Sequence, residues 1–64
     1  MPPKRTYHFN VHLTTAQIHA LEQAGGELVR DATNNVVACR IGEDAMEAFL
    51  KQHETLRRYV VRER

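Results

Sequence analysis

Residues 6–26, TYHFNVHLTTAQIHALEQAGG, decide the fold, because the hydrophobic pattern changes within them from that of a strand to that of a helix. From Tyr7 to Leu13, apolar and polar side chains alternate, which is typical of a strand with one buried face. Thr14 and Gln17 then have the spacing of a capping box, and Gly25-Gly26 is a common way to end a helix. The stretch therefore predicts a strand followed directly by a short helix.

The rest of the chain adds three predicted strands and one predicted helix. The sequence predicts a second strand over 27–32, a third over 36–41 after a turn, a second helix opening at Gly42, and a basic fourth strand over 56–64. The order β-α-β-β-α-β predicts an α+β, ferredoxin-like fold: a four-stranded antiparallel sheet with two helices on one face.

Length and composition limit what this chain can do. Sixty-four residues allow one domain, and a chain of this size buries only about 60% of the surface that its unfolded form exposes. We expect residues 1–5 to be a flexible basic N-terminus and 6–64 to form a single domain. The small core leaves no room for a deep substrate cavity, and the sequence contains no serine. We therefore expect a binding module that is not an enzyme and uses no cofactor.

Cysteine content and hydropathy indicate the compartment. The single cysteine cannot form an internal disulfide, which favours a reducing environment. No run of 18 apolar residues is present, so we expect no membrane partner. The polar start of the chain does not look like a secretion signal. These features together predict a cytoplasmic protein.

The residues that most often carry chemistry have simpler structural interpretations. On a strand, His8 and His12 would lie roughly 13 Å apart, too far for one ion, so no metal site is predicted. Cys39 is expected to point inward between Val37 and Ile41, where a thiol behaves as a small hydrophobe. The net charge of +1 and the lack of aromatic residues on the predicted open sheet face disfavour nucleic acid as a partner.

The predicted open face of the sheet carries more apolar side chains than a solvated face needs. An apolar centre with a polar rim is how protein interfaces are built, so a protein partner is expected. Pairing of exposed sheet edges into a homodimer is a further alternative. The residues predicted to bind protein are Val29, Val36, Ala38, Arg40, Val60, Arg62, Glu63 and Arg64.

Residues 7–62 resemble the subtilisin-propeptide-like peptidase inhibitors. The resemblance is carried by the segments YHFNV, AQIHALEQAGGELV with its glycine pair, the Asn-led NVVACRI, GEDAMEAFLKQ and LRRYV. It implies that the open sheet face docks on two parallel surface helices of a subtilisin-like serine protease. It also implies that the chain acts as a free-standing inhibitor or as an intramolecular chaperone of that protease, with a docking face at Val29, Val36, Ala38 and Val60.

The chain departs from this family in two places. The family carries carboxylates late in the last strand, which cap the docked protease helices, whereas this chain has Val60 and Arg62 near those positions. Only Glu63 could replace them, with a shift of strand register. The family also has a longer C-terminal tail; here residues 61–64 could serve as a short tail if the last strand ended early, with Arg64 presented to the primary pocket of the protease.

A DNA-binding function is the alternative hypothesis. The segment KRTYHFNVHLTTAQIHALEQAG resembles the opening of a ribbon-helix-helix repressor. There, His8, Asn10 and His12 would enter the major groove from the paired strands of a dimer, and the basic pair 4–5 would contact phosphates. The strand-like segments VVACRI and LRRYVV have no place in that fold.

Overall fold

Four strands and two α-helices make up residues 3–63, the part of the chain that a computed structural model describes. The strands form one antiparallel sheet in the order β2-β3-β1-β4, which confirms the predicted α+β class and is consistent with a ferredoxin-like arrangement. No helix in this range is long and apolar enough to cross a membrane. The elements are β1 (Lys4–Phe9), α1 (Thr15–Gln23), β2 (Glu27–Arg30), β3 (Val36–Gly42), α2 (Glu43–Gln52), a 3-10 helix (Glu54–Tyr59) and β4 (Val60–Arg62).

Helix α1 begins and ends where the sequence predicts. The Thr14 hydroxyl accepts the backbone N–H of Gln17 at 3.2 Å, and Gln17 Oε1 accepts the backbone N–H of Thr14 at 2.8 Å. Both bonds of the capping box are therefore present, and they satisfy donors that have no partner within the helix. At the other end, Gly25 takes the left-handed conformation with φ of 87°. Gly26 then donates its N–H to the carbonyl of Leu21 at 2.9 Å.

Gly26 is required for a second reason, which is its close approach to β3. A Cβ at this position would lie 2.7 Å from the Sγ of Cys39 and 2.9 Å from the Leu21 carbonyl oxygen. Both distances are shorter than normal contacts, and one of them is to backbone that cannot easily move. The glycine therefore lets the end of α1 pack directly on the centre of the sheet.

We predict that Gly26→Ala lowers the free energy of unfolding by about 1–3 kcal/mol, because the added methyl overpacks this contact. Urea denaturation followed by circular dichroism would measure it. Gly42→Ser is the matched control, since a Cβ at Gly42 meets nothing within 4 Å. Equal stability of the wild type and Gly26→Ala would contradict the close approach.

Strand β1 starts earlier and ends earlier than predicted. Lys4 lies opposite Gly42 and Arg5 lies opposite Ile41, so both belong to the sheet rather than to a flexible N-terminus. The prediction for residues 1–5 is wrong at these two positions, because β3 extends to Gly42 and offers their backbone a partner. Residues 1 and 2 lie outside the described part of the chain. The strand ends at Phe9 rather than at Leu13.

The segment 56–64 differs most from the prediction. Its first residues complete a 3-10 helix, from which Leu56 packs into the core, and only Val60–Arg62 form a strand. Phe9 lies opposite Val60 and Tyr7 lies opposite Arg62, so these residues point toward the helix-covered face. The prediction that Val60 and Arg62 lie on the open face is therefore wrong. A one-residue slip in register exchanges the two faces of a strand.

The hydrophobic core lies between the sheet and both helices. Burial raises the pKa of the Tyr7 hydroxyl, and the nearby carboxylate of Glu43 acts in the same direction. The buried core residues are Tyr7, Phe9, Leu21, Val36, Cys39, Ile41, Met46, Phe49, Leu50 and Leu56, and Leu28 and Val60 pack against them.

The turn between β2 and β3 is organised by one carboxylate. Oδ1 of Asp31 accepts the hydroxyl of Thr33 at 2.7 Å, the backbone N–H of Thr33 at 2.9 Å and that of Asn35 at 3.0 Å. The Thr33 and Asn35 hydrogen bonds lower the pKa of Asp31 below its ordinary value of 3.8. Asn34 takes a left-handed φ of 67°, as the turn prediction requires.

We predict that Asp31→Asn lowers the melting temperature at pH 7 and that this difference disappears in acid. A carboxylate whose pKa is depressed by folding stabilises the folded state above its unfolded pKa, and this contribution is lost as the pH falls through the folded pKa. Melting curves between pH 7 and pH 2 would measure both. Glu22→Gln, which removes an exposed carboxylate from α1, is the control. A difference that stays constant down to pH 2 would contradict the interpretation.

Candidate protein-binding face

The sheet face turned away from the helices, called the open face from here on, brings side chains from all four strands together. Strand pairing arranges them in two rows across the sheet. With neighbouring strands about 4.8 Å apart, each row spans about 14 Å. The first row consists of Val29, Ala38, His8 and Val61. The second consists of Glu27, Arg40, Thr6 and Glu63, with Lys4 beyond it on β1.

The accessible apolar surface of the open face lies at its two outer strands. Val29 of β2 is 42% exposed and Val61 of β4 is 51% exposed. Ala38, in contrast, is only 2% exposed, because its short side chain stands between the larger side chains of Val29 and His8. Val36 is 7% exposed and packs with the core cluster. The prediction that Val36 and Ala38 offer docking surface is therefore wrong, whereas Val29 was placed correctly.

Glu63 lies on the open face because β4 continues its pairing one residue beyond its last strand residue. Its backbone N–H donates to the carbonyl of Thr6 at 2.8 Å. Its carboxylate reaches toward β1, where Oε1 lies 3.4 Å from Nε2 of His8. Both side chains are about half exposed. The sequence analysis requires a shift of strand register for Glu63 to reach the open face, and β4 has this shifted register.

Arg62 has a structural contact on the other side of the sheet. Its Nη1 lies 3.3 Å from Oε1 of Glu43, at the start of α2. Nε of Arg5 lies 3.3 Å from the second oxygen of the same carboxylate. Glu43 therefore links α2 to both β1 and β4, and Arg62 does not contribute to the open face. Arg64 lies outside the described residues.

Arg40, like Glu63, is predicted to bind protein and lies on the open face. Its Nη1 lies 3.6 Å from Oε2 of Glu27, whose other oxygen lies 3.3 Å from Nζ of Lys4. Sequence reasoning missed Lys4, because it assigned that residue to the N-terminus. It also missed Val61, because the segment VVRE fits either register and its alternation cannot distinguish them.

Cys39 has the environment of a core residue. It is fully buried on the helix-covered face, opposite Tyr7 on β1 and Leu28 on β2. Burial raises the pKa of its thiol to about 11, which removes the thiolate that a nucleophile or metal ligand needs. Within residues 3–63, no group of three or more His, Cys, Asp or Glu is placed to hold a metal ion.

We predict that Cys39 reacts slowly with a thiol-disulfide reagent in the native protein at pH 8 and rapidly in denaturant. The reason is that the thiol is both shielded and protonated at this pH. Absorbance of the released aromatic thiol would follow the reaction, and denatured protein supplies the control rate. Fast stoichiometric labelling of the native protein would contradict the buried position.

The geometry of β1 does not fit the ribbon-helix-helix hypothesis. That mode of DNA binding needs the first strand to pair with the same strand of a second copy. Here β1 is a central strand, hydrogen-bonded to β3 on one side and β4 on the other. Asn10 and His12 follow the end of the strand instead of continuing the face that carries His8.

Comparison with known proteins identifies no relative: no protein-family model, no curated protein and no solved structure matches this chain. The chemistry of the open face is therefore the feature that indicates a function.

Proposed function

We propose that this chain is a non-enzymatic protein-binding module that docks through its open face on a subtilisin-like serine protease. It would act there as a free-standing inhibitor or as a chaperone propeptide. The observation that carries the proposal is the position of Glu63, a carboxylate on the open face just after the last strand residue. The buried, protonated Cys39 thiol is in keeping with a reducing compartment, and we propose the cytoplasm.

The chemistry of a carboxylate at this position suits the expected docking partner. A helix N-terminus presents backbone N–H groups without intrahelical acceptors and a positive partial charge. Glu63 is about half exposed, so both of its oxygens can be approached by such donors. The propeptide-like inhibitors, which this sequence resembles, are expected to use carboxylates from the last strand in this way.

The contact between Glu63 and His8 does not prevent docking. Exposed ion pairs contribute only about 0–1 kcal/mol, because water screens the charges and both side chains lose freedom. The carboxylate can therefore exchange this contact for hydrogen bonds to a partner. His8 then stays in the middle of the first row, between Ala38 and Val61.

Val29 and Val61 provide the apolar part of the contact. They stand at opposite ends of the first row, separated by the width of the sheet. Each side chain is roughly half exposed, so covering it stabilises a complex by about 1 kcal/mol. Two apolar contacts at the outer strands with Ala38 and His8 between them favour a broad, flat docking surface over a narrow pocket.

The test is inhibition of, and complex formation with, a panel of subtilisin-like serine proteases. We expect a 1:1 complex with at least one of them. Val61→Asp should weaken that complex by about 2 kcal/mol, a factor of roughly 30, because it places an unpaired charge inside the contact. Glu63→Gln should weaken it less, since an amide oxygen still accepts one hydrogen bond.

Arg58→Gln is the control for these variants, because it removes an exposed charge from the 3-10 helix, which contributes no side chain to the two rows of the open face. Circular dichroism would show that each variant keeps its fold. If no protease of the panel forms a complex, the proposed function is wrong. If a complex forms and Val61→Asp binds as tightly as wild type, docking does not use the open face.

A further inference from the structure

Three charged side chains form a cluster on the β2 side of the open face. Nζ of Lys4 lies 3.3 Å from one oxygen of Glu27, and Nη1 of Arg40 lies 3.6 Å from the other. All three side chains are substantially exposed. One carboxylate is thus shared between two cations, which leaves the cluster with one excess positive charge.

Arg40 keeps most of its hydrogen-bonding capacity. A guanidinium has five N–H donors in one plane, and this fork matches the two oxygens of a carboxylate. The 3.6 Å separation from Glu27 is longer than the roughly 2.8 Å of a charge-assisted hydrogen bond. The contact with Glu27 therefore neutralises part of the charge without occupying the fork of donors.

The open face is polarised as a result. Glu63 lies two strands away from Arg40. With neighbouring strands about 4.8 Å apart, the backbones at these two positions are about 10 Å from each other. The β2 side has a net positive charge and the β4 side has a carboxylate next to His8. A partner with the same sign on both sides would meet repulsion at one of them.

We infer that the docked protease surface presents a carboxylate to the Lys4–Glu27–Arg40 cluster, where Arg40 would bind it through two parallel hydrogen bonds. This inference rests on the proposed function and specifies the chemistry of the partner on the side opposite Glu63. It also orients the module, because the acidic site of the protease must lie under β2 and β3.

The test uses two neutralising variants that should change affinity in opposite directions. Arg40→Gln removes the fork and the excess charge, so binding to the protease with a blocked active site should weaken by roughly threefold to tenfold at low salt. Glu27→Gln leaves both cations without their shared carboxylate, so binding should strengthen by a similar factor. Both effects should shrink at high salt, because ions screen exposed charges.

Arg58→Gln again serves as the control, since it changes the net charge as Arg40→Gln does but lies outside the open face. If Arg40→Gln has no effect, or Glu27→Gln weakens binding, the inference is wrong. Sensitivity to Val61→Asp in the same experiment would then show that face docking itself is intact. If no protease binds at all, the proposed function fails and this inference fails with it.

Discussion

The pairing of β1 with β4 is the constraint on which the chemistry of this molecule depends. Phe9 lies opposite Val60 and His8 lies opposite Val61, and this register decides which side chains of the C-terminal segment point toward solvent on the open face. Val60 then completes the core, while Val61 and Glu63 become accessible to a partner.

Contacts on the helix-covered side favour this register. Glu43, in the first turn of α2, bridges Arg5 of β1 and Arg62 of β4. A slip by one residue would turn Arg62 toward the open face and remove one of these bridges. It would also bring Val61 into the place of Val60, with little change in buried apolar area, and Glu63 into the place of Arg62, beside the like-charged carboxylate of Glu43. The structural role of Arg62 and the exposure of Glu63 are therefore two results of the same packing.

Local signals predict most of the fold, and non-local packing accounts for what they miss. Three local signals each concern a single element: the capping box at Thr14, the glycine pair, and the alternation that includes Tyr7 and Phe9. These elements can therefore be predicted from the sequence alone. The register of β4 depends instead on how the chain leaves α2 through a 3-10 helix whose Leu56 enters the core. The hydrophobic pattern of residues 56–64 does not indicate the path that the chain takes from α2 to β4. The burial of Ala38 likewise depends on taller neighbours from two other strands.

The 3-10 helix between α2 and β4 therefore acts as a spacer of defined length. An insertion or deletion of one residue within it would reach β4 in the opposite phase, with Val60 and Arg62 outside and Glu63 turned toward the helices. The amino-acid composition would hardly change, yet the open face would gain the cation of Arg62 and lose the carboxylate of Glu63. A change in the length of this segment therefore changes which side chains form the open face, whereas a substitution at its surface leaves the phase of β4 unaltered. As small domains of this kind diverge, the length of such a connecting segment can change the binding partner, just as a substitution on the open face can.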